Sequence, residues 1–164
     1  VLYEESMFDG QKVSKSRIIT SVDYSMVSME AFEIYAANHD IHVMDFVLKL
    51  DAYSYYMMNL LDYLIGNTDR HWGNWGFLVD NRTNQPVRLF DLMDLNQTFL
   101  AYDTPDGANC MTTGNRKMSQ REAAVEAVKK IGLNQRAEIK DEWFEGREKE
   151  REMFWCRFGI LKEQ

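Results

Sequence analysis

Three residues with oxygen-bearing side chains follow one another at spacings that suit phosphoryl transfer. Asp69 and Asn74 lie in the sequence Gly-Asn-Thr-Asp-Arg-His-Trp-Gly-Asn of residues 66–74, and Asp91 follows inside Leu-Phe-Asp-Leu. This chemistry needs one carboxylate that orients and deprotonates the attacking hydroxyl, and oxygen ligands that hold magnesium on the phosphates. The spacing Asp-x-x-x-x-Asn is typical of a loop that supplies the base and one ligand. The pattern predicts Asp69 as the catalytic base, with Asn74 and Asp91 as magnesium ligands.

The chemistry of the two ligand positions agrees with this prediction. The neutral oxygen donor of Asn74 suits magnesium, which prefers hard oxygen ligands. Asp91 directly follows a run of apolar residues, where an acid is costly to place without a reason. Asp94 is a rival three residues later, but it lacks the position at the end of a strand. We therefore interpret Asp94 as a solvated or capping residue.

The order of residues in the loop resembles two kinase families. Familiar eukaryotic kinases place His-Arg before the catalytic Asp, whereas Asp-Arg-His-x-x-Asn resembles the loops of phosphoinositide kinases and of bacterial HipA-like kinases. Residues 61–80, Leu-Asp-Tyr-Leu-Ile-Gly-Asn-Thr-Asp-Arg-His-Trp-Gly-Asn-Trp-Gly-Phe-Leu-Val-Asp, are most similar to HipA-like proteins of bacteria and their phages. The specific match covers residues 45–100. It implies the C-terminal catalytic lobe of an ATP- and Mg²⁺-dependent kinase that phosphorylates a Ser or Thr hydroxyl on a protein.

The resemblance also implies which residues surround the nucleotide. In HipA-like kinases the residues from this His to the Asn border it, so His71 either contacts phosphate or braces the loop. Phe90 lines either the adenine side of the nucleotide site or the hydrophobic core. Asn67 and Arg70 are expected to hold the loop in shape, with Arg70 pairing with a carboxylate. The predicted nucleotide-binding set is His71, Asn74, Phe90 and Asp91.

The elements that must position these residues predict an α+β fold that is mainly helical. The clearest helix spans about Asp45 to Ile65, where apolar residues recur at spacings of three and four. Its expected buried stripe is Phe46, Leu50, Tyr53, Met57, Leu60, Leu61 and Leu64. Other helices are predicted from Ser28 to Ala36, from the capping box Ser119–Glu122 to Ile131, and over 134–145 and 147–158. The aromatic residues expected to pack inward from the last two are Trp143, Phe144, Phe154, Trp155 and Phe158.

A β-hairpin is predicted directly after the loop. Residues 75–79 and 87–90 read as its strands, with a turn over 80–86. A protein-kinase-like C-terminal lobe uses such a hairpin to carry the metal site, because its two ends lie side by side. Asn74 and Asp91 can then share one ion, and Asp69 and Asp91 are expected to face one cleft. Residues 92–118 occupy the place of an activation segment, and residues 17–20 are predicted as a short strand or an extended piece.

Two parts of a complete kinase are missing from the pattern. None of the nine glycines forms a phosphate-covering Gly-rich loop, and neither Lys12 nor Lys15 has the surroundings of the strand lysine that binds the phosphates. Residues 1–164 are therefore predicted to be one C-terminal lobe without its N-terminal lobe. The chain starts at Val1 without an initiator Met, which favours a fragment or processed product. Alone, it is expected to bind ATP weakly and to transfer no phosphate.

Composition narrows the choice of partner and compartment. The net charge is −7, and residues 1–60 alone carry −5. An acidic or balanced surface argues against direct binding to nucleic acid or an anionic membrane, both of which need a basic footprint. Cys110 and Cys156 lack metal-ligand spacing and are expected to be reduced thiols of a cytoplasmic protein. No apolar stretch is long enough to cross a membrane.

Two other functions stay open beside the HipA-like protein kinase. One is a phosphoinositide-type lipid kinase lobe. The acidic net charge and the lack of basic residues around 92–115 argue against it. The other is a non-catalytic kinase-like module for binding or regulation, which the missing lysine and Gly-rich loop favour. A lysine-bearing, β-rich lobe upstream would favour the kinase. The expected partners are a Ser- or Thr-bearing protein substrate and the N-terminal lobe, and the resemblance leaves room for an antitoxin-type regulator.

Overall fold

The computed structural model describes residues 3–100, 102–113, 117–133 and 138–164. Within them the chain has an α+β fold of four α-helices and two small antiparallel sheets. The helices are α1 (Met29–Ala37), α2 (Val43–Ile65), α3 (Gln120–Ile131) and α4 (Glu148–Lys162). The strands are β1 (Tyr3–Phe8), β2 (Gln11–Ser16), β3 (Tyr24–Ser28), β4 (Gly76–Asp80) and β5 (Gln85–Leu89). None of these helices combines the length and apolar character that a membrane span requires.

Helix α2 runs through the centre of the fold and contacts α3, α4 and β5. It ends, as predicted, at Gly66, whose left-handed backbone (φ 63°) terminates the helix without the steric penalty of a side chain. The helix is kinked at Asp51 (φ −155°, ψ 65°). There the Asp51 carboxylate accepts hydrogen bonds from the backbone N–H of Ser54 (3.1 Å) and of Leu89 (3.1 Å). The kink thus fastens the helix to the end of β5.

The expectation of a single apolar stripe on α2 was wrong in part. Leu60 and Leu64 are buried, but Tyr53 is 46% exposed and several other expected stripe residues are only half-buried. Because the helix packs against neighbours on more than one side, its buried set is broader. That set is Val47, Tyr55, Tyr56, Met58, Asn59, Leu60, Asp62, Tyr63 and Leu64.

The predicted hairpin is confirmed and forms part of a three-stranded sheet in the order β3-β4-β5. Phe77 in the middle strand pairs with Val27 on one side and Leu89 on the other. The Phe77 ring packs edge-on against Phe32 of α1, with ring centroids 4.7 Å apart. Gly76 permits the close approach of β3, because a Cβ there would overlap the Val27 carbonyl oxygen.

Replacing Gly76 by Ala should therefore destabilise the fold. The Val27 backbone must shift to admit the new methyl group, and overpacking of this kind costs about 1–3 kcal/mol. Thermal unfolding followed by circular dichroism would measure the change. Gly159→Ala is the matched control, since nothing lies within 4 Å of a Cβ at that helical position. Equal unfolding midpoints for the two variants would contradict the proposed crowding at Gly76.

Helix α4 is anchored to the core by a buried arginine. Arg157 donates hydrogen bonds to the carbonyl oxygens of Tyr63 (2.5 Å) and Thr104 (2.6 Å). Its guanidinium lies 4.3 Å from the centroid of the Tyr102 ring. Because Tyr63 lies near the C-terminus of α2, the cation also complements the negative end of the helix dipole. Arg157 thereby connects α4, α2 and the segment after residue 101.

Several local expectations were wrong where packing overrides propensity. Residues 17–20, predicted as a short strand or an extended piece, are not part of a strand, and Ile18 is 81% exposed. A helix over 134–145 is not found in the described part 138–145, which contains only a 3₁₀ turn at Asp141–Phe144; residues 134–137 lie outside the described ranges. Trp143 (56%) and Trp155 (37%) are exposed, contrary to the expectation that both pack inward. Phe144, Phe154 and Phe158 are buried as predicted.

The N-terminal segment forms a hairpin that the sequence did not predict. Strands β1 and β2 pair antiparallel as a separate two-stranded sheet. Lys12 and Lys15 lie within β2 and pair with Glu5 (2.9 Å) and Glu4 (4.0 Å). All four side chains are largely exposed, so these ion pairs contribute little to stability.

Candidate functional site

The loop after α2 is held in shape by a buried ion pair. Arg70 is 3% exposed, and its Nε and Nη2 donate to the two carboxylate oxygens of Asp62 at 2.8 and 3.0 Å. The Asn67 side-chain amide also donates to Asp62 Oδ1, at 2.9 Å. The expectation that Asn67 and Arg70 brace the loop, with Arg70 paired to a carboxylate, is confirmed. A bidentate pair of this kind fixes direction as well as distance.

The same arginine joins the loop to the segment that follows Asp91. Its Nη1 atom donates to the carbonyl oxygen of Asn74 (3.0 Å) and to that of Met93 (2.7 Å). One nitrogen atom therefore holds together the two chain segments that carry the predicted magnesium ligands. These ligands are 17 positions apart in sequence, and the hairpin between them supplies the return path.

Asp69 and Asn74 are coupled across the loop. The Asn74 side-chain amide donates to the backbone carbonyl of Asp69, and the His71 N–H bonds to the same carbonyl at 2.9 Å. Asn74 is 4% exposed, and its Oδ1 is buried without a hydrogen-bond partner among the described residues. A buried amide oxygen without a partner is costly in a protein interior. Its chemistry fits a hard cation such as Mg²⁺.

The Asp69 carboxylate is half-buried and accepts no hydrogen bond from a described residue. Its backbone is fixed by the contacts of the loop, so the carboxylate is positioned without being engaged. This is the arrangement that a general base requires before its substrate arrives.

Asp91 lies at the same end of the hairpin as Asn74. The Phe90 N–H bonds to the Gly76 carbonyl at 2.8 Å, which continues the β4–β5 register to the residue before Asp91. Arg88 Nη1 contacts Asp91 Oδ1 at 2.6 Å. Burial opposes ionisation of Asp91, but the hydrogen bond and charge of Arg88 contribute to a net lowering of its pKa. The group is therefore a carboxylate at neutral pH.

The predicted nucleotide residues line two different cavities. Phe90 and Asp91 line one of about 260 Å³ between the hairpin and α2, whose walls include Tyr53 and Met57. His71 lines another of about 520 Å³ beside α1. Asp69 and Asn74 line neither. A single cleft shared by Asp69 and Asp91 stays a prediction.

Among the described residues, no three His, Cys, Asp or Glu side chains gather into a group able to hold a metal. The predicted pair contains only one carboxylate, Asp91, beside the Asn74 amide. Magnesium commonly binds to one or two protein ligands and completes its shell with phosphate oxygens and water. Asn74 and Asp91 fit this kind of site, in which the nucleotide supplies part of the coordination.

The segment after the hairpin is fastened to α2 and to the loop. The Tyr63 hydroxyl donates to the Pro105 carbonyl at 2.7 Å, and burial raises the pKa of Tyr63 to about 12, so the donor stays protonated. The Trp72 indole N–H donates to the Met111 carbonyl at 2.8 Å, and the Thr112 hydroxyl donates to Asn59. The described part of 92–118 lacks helix and strand, as predicted, apart from a bridge from Asn109 to Ser119.

Three supporting residues were not singled out from the sequence. Asp62 stands within the apolar run Leu-Leu-Asp-Tyr-Leu, and an acid in that position is a signal for a buried partner such as Arg70. Arg88 precedes Asp91 by three residues, but the strand ends between them, so no regular periodicity predicts that their side chains meet. Asp51 looks like an ordinary polar position of a helix, and nothing in the pattern indicates its kink.

Comparison with protein-family models, with curated proteins and with solved structures found no match to this chain. The resemblance to HipA-like kinases that the loop and hairpin residues indicate therefore stays a prediction.

Proposed function

We propose that this chain is the catalytic lobe of an ATP- and Mg²⁺-dependent, HipA-like kinase that phosphorylates Ser or Thr hydroxyls of a protein. Asp69 acts as the base, Asn74 and Asp91 hold magnesium, and His71 and Phe90 border the nucleotide. Bound Mg²⁺ would neutralise charge on the phosphates.

The observation that carries the proposal is the cross-link made by Arg70. Its Nη1 bonds to Asn74 and to Met93, two residues after Asp91, so a buried cation connects the segments of both proposed ligands. A loop that served only as a connection would not need a buried ion pair, because such pairs carry a large desolvation cost. The Asn74 side-chain oxygen, which is buried and has no hydrogen-bond partner among the described residues, adds a second, independent argument for a ligand.

The residues of the chain divide the work by their surroundings. The Asp69 carboxylate is half-buried and accepts no hydrogen bond from a described residue, which suits a group that must accept a proton from an incoming hydroxyl. The Asp91 pKa is lowered, which suits a group that must stay ionised to bind a cation. We further propose that a second lobe supplies the phosphate-covering loop and the lysine that completes the nucleotide site.

Replacing Asp91 by Asn should weaken magnesium-dependent binding of ATP. Loss of an outer-shell partner of a metal ligand typically lowers metal affinity by about 10-fold or more. Loss of a direct ligand should lower it at least as much. Isothermal titration with ATP in the presence and absence of Mg²⁺ would measure the effect, which should vanish without the metal. Asp94→Asn is the matched control, because it removes the same charge from an exposed side chain three residues away. A larger loss for Asp94→Asn than for Asp91→Asn would reassign the ligand.

A non-catalytic module is the second candidate function, and one contact favours it. Arg88 lies 2.6 Å from one oxygen of the Asp91 carboxylate, where a metal ligand would need that oxygen to be available. In a module without metal, this pair would be permanent. The titration above separates the two functions, since Mg²⁺ would not strengthen any binding of ATP to such a module.

A further inference from the structure

A second cavity opens beside the loop that carries Asp69. Its volume is about 520 Å³, and it lies between α1 and the segment that contains Met111. Its floor is formed by the three residues His71, Trp72 and Gly73, which begin two positions after Asp69. Any group that fills this cavity therefore lies against the proposed catalytic loop.

The walls of this cavity are fixed to the loop by hydrogen bonds. The Glu30 N–H at the start of α1 bonds to the Trp72 carbonyl at 3.0 Å, and the Met29 N–H bonds to the Trp75 carbonyl at 2.8 Å. On the opposite wall the Trp72 indole donates to Met111. Both walls are thus positioned relative to the loop that carries Asp69 by hydrogen bonds.

The Asp, Glu, Lys and Arg side chains that line the cavity, among the described residues, are all acidic. Glu30 and Glu33 line it from successive turns of α1, and no Lys or Arg among the described residues lines it. Both carboxylates are exposed, and neither forms an ion pair with a described residue. Gly73 keeps the space between them and the loop open, since a Cβ there would lie 2.9 Å from the His71 ring and 3.6 Å from the Glu30 carboxylate. The cavity is therefore suited to a cationic occupant.

We propose that this cavity binds the acceptor segment of the protein substrate, and that Glu30 and Glu33 select Lys or Arg close to the Ser or Thr that is phosphorylated. The apolar surfaces of Trp72 and Met111 suit the aliphatic stem of such a side chain, whose charged end would reach the carboxylates. The inference rests on the proposed function, because it takes Asp69 as the base.

Direct binding tests this inference without requiring activity. The probes are three Ser-containing peptides of equal length in which the residues around Ser are Arg, Gln or Glu. The indole N–H resonance of Trp72 reports on the cavity itself, while Trp143 and Trp155 serve as references elsewhere in the same protein. We expect the Arg peptide to shift the Trp72 signal, the Gln peptide to bind more weakly, and the Glu peptide not to bind.

The variant Glu30→Gln/Glu33→Gln should weaken binding of the Arg peptide about 3- to 10-fold, as expected for two exposed charge interactions. Added salt should weaken wild-type binding in the same direction. Glu148→Gln/Glu152→Gln is the matched control, since it removes two exposed charges from the first turns of α4. Equal weakening in both double variants, equal binding of the three peptides, or no binding of the Arg peptide would overturn the inference.

The same peptides separate this inference from the proposed function. Asp69→Asn should lower the rate of phosphate transfer to the Arg peptide by about 10²-fold or more but leave charge-dependent binding of that peptide intact. The chain joined to its proposed second lobe should be tested in the same way. If it binds the peptides according to their charge but transfers no phosphate, the kinase function is rejected and the cavity for basic segments is retained. Transfer that ignores the charge of the peptide would retain the kinase and reject the role of Glu30 and Glu33.

Discussion

Replacing Asp69 by Asn is expected to lower the rate of phosphoryl transfer by about 10²-fold or more, because positioned acid–base groups contribute at least that much. The change preserves the shape of the side chain and removes the proton acceptor. Binding of Mg-ATP should largely survive, since the proposed metal ligands are Asn74 and Asp91. The rate should be measured in single turnovers with the chain joined to its proposed second lobe.

Stability provides the control for this variant. No described residue donates a hydrogen bond to the Asp69 carboxylate, so Asp69→Asn should unfold at the wild-type midpoint. A slow enzyme with unchanged stability and unchanged nucleotide affinity would locate the defect in the chemical step. A variant that transfers phosphate at the wild-type rate would show that Asp69 is not the base.

Replacing Arg70 by Met should produce the largest loss of stability. The substitution leaves the Asp62 carboxylate buried without its cation, and breaking a buried pair in this way costs about 3–5 kcal/mol. It also removes the donor that the Asn74 and Met93 carbonyls share. Urea unfolding would measure the loss. Arg121→Met is the matched control, because its pair with Asp106 is exposed, and such pairs contribute about 1 kcal/mol or less.

A double variant separates stability from positioning. Asp62→Leu/Arg70→Met removes both charges, so much of the lost stability should return. The link between the segments of Asn74 and Asp91 should not return with it, and magnesium-dependent ATP binding should stay weak. Recovery of both properties in the double variant would contradict the positioning role that we give to Arg70.

The parts of the fold that the sequence predicted correctly depend on local signals. The capping box at Ser119 opens α3, and the left-handed Gly66 ends α2, because short-range hydrogen bonds determine both. The hairpin that brings Asn74 and Asp91 to one end follows from two apolar runs around a polar turn. Arg70 was likewise expected to pair with a carboxylate, and its partner is Asp62.

The parts that failed depend on which surfaces meet in the folded chain. The kink at Asp51 arises from a bond to Leu89, which is 38 residues away and cannot be inferred from helical periodicity. Trp143 is exposed because the described part of its segment forms only a 3₁₀ turn, so the helix that would have turned it inward is absent there. The acid at Asp62 in an apolar run indicates a buried partner, but the sequence does not identify that partner as Arg70, because the two meet only in the folded chain.

The most direct test of the account is to locate the metal. Mn²⁺ substitutes for Mg²⁺ and broadens the nuclear resonances of nearby residues, so it reports on a weak site in this chain without requiring activity. In the presence of ATP, we expect the Asn74 side-chain amide and the backbone amides of 69–74 and 90–92 to broaden first. The same signals should stay sharp in Asp91→Asn. Broadening that begins at other carboxylates, or an Asn74 amide that stays sharp at saturating ATP, would contradict the proposed magnesium site.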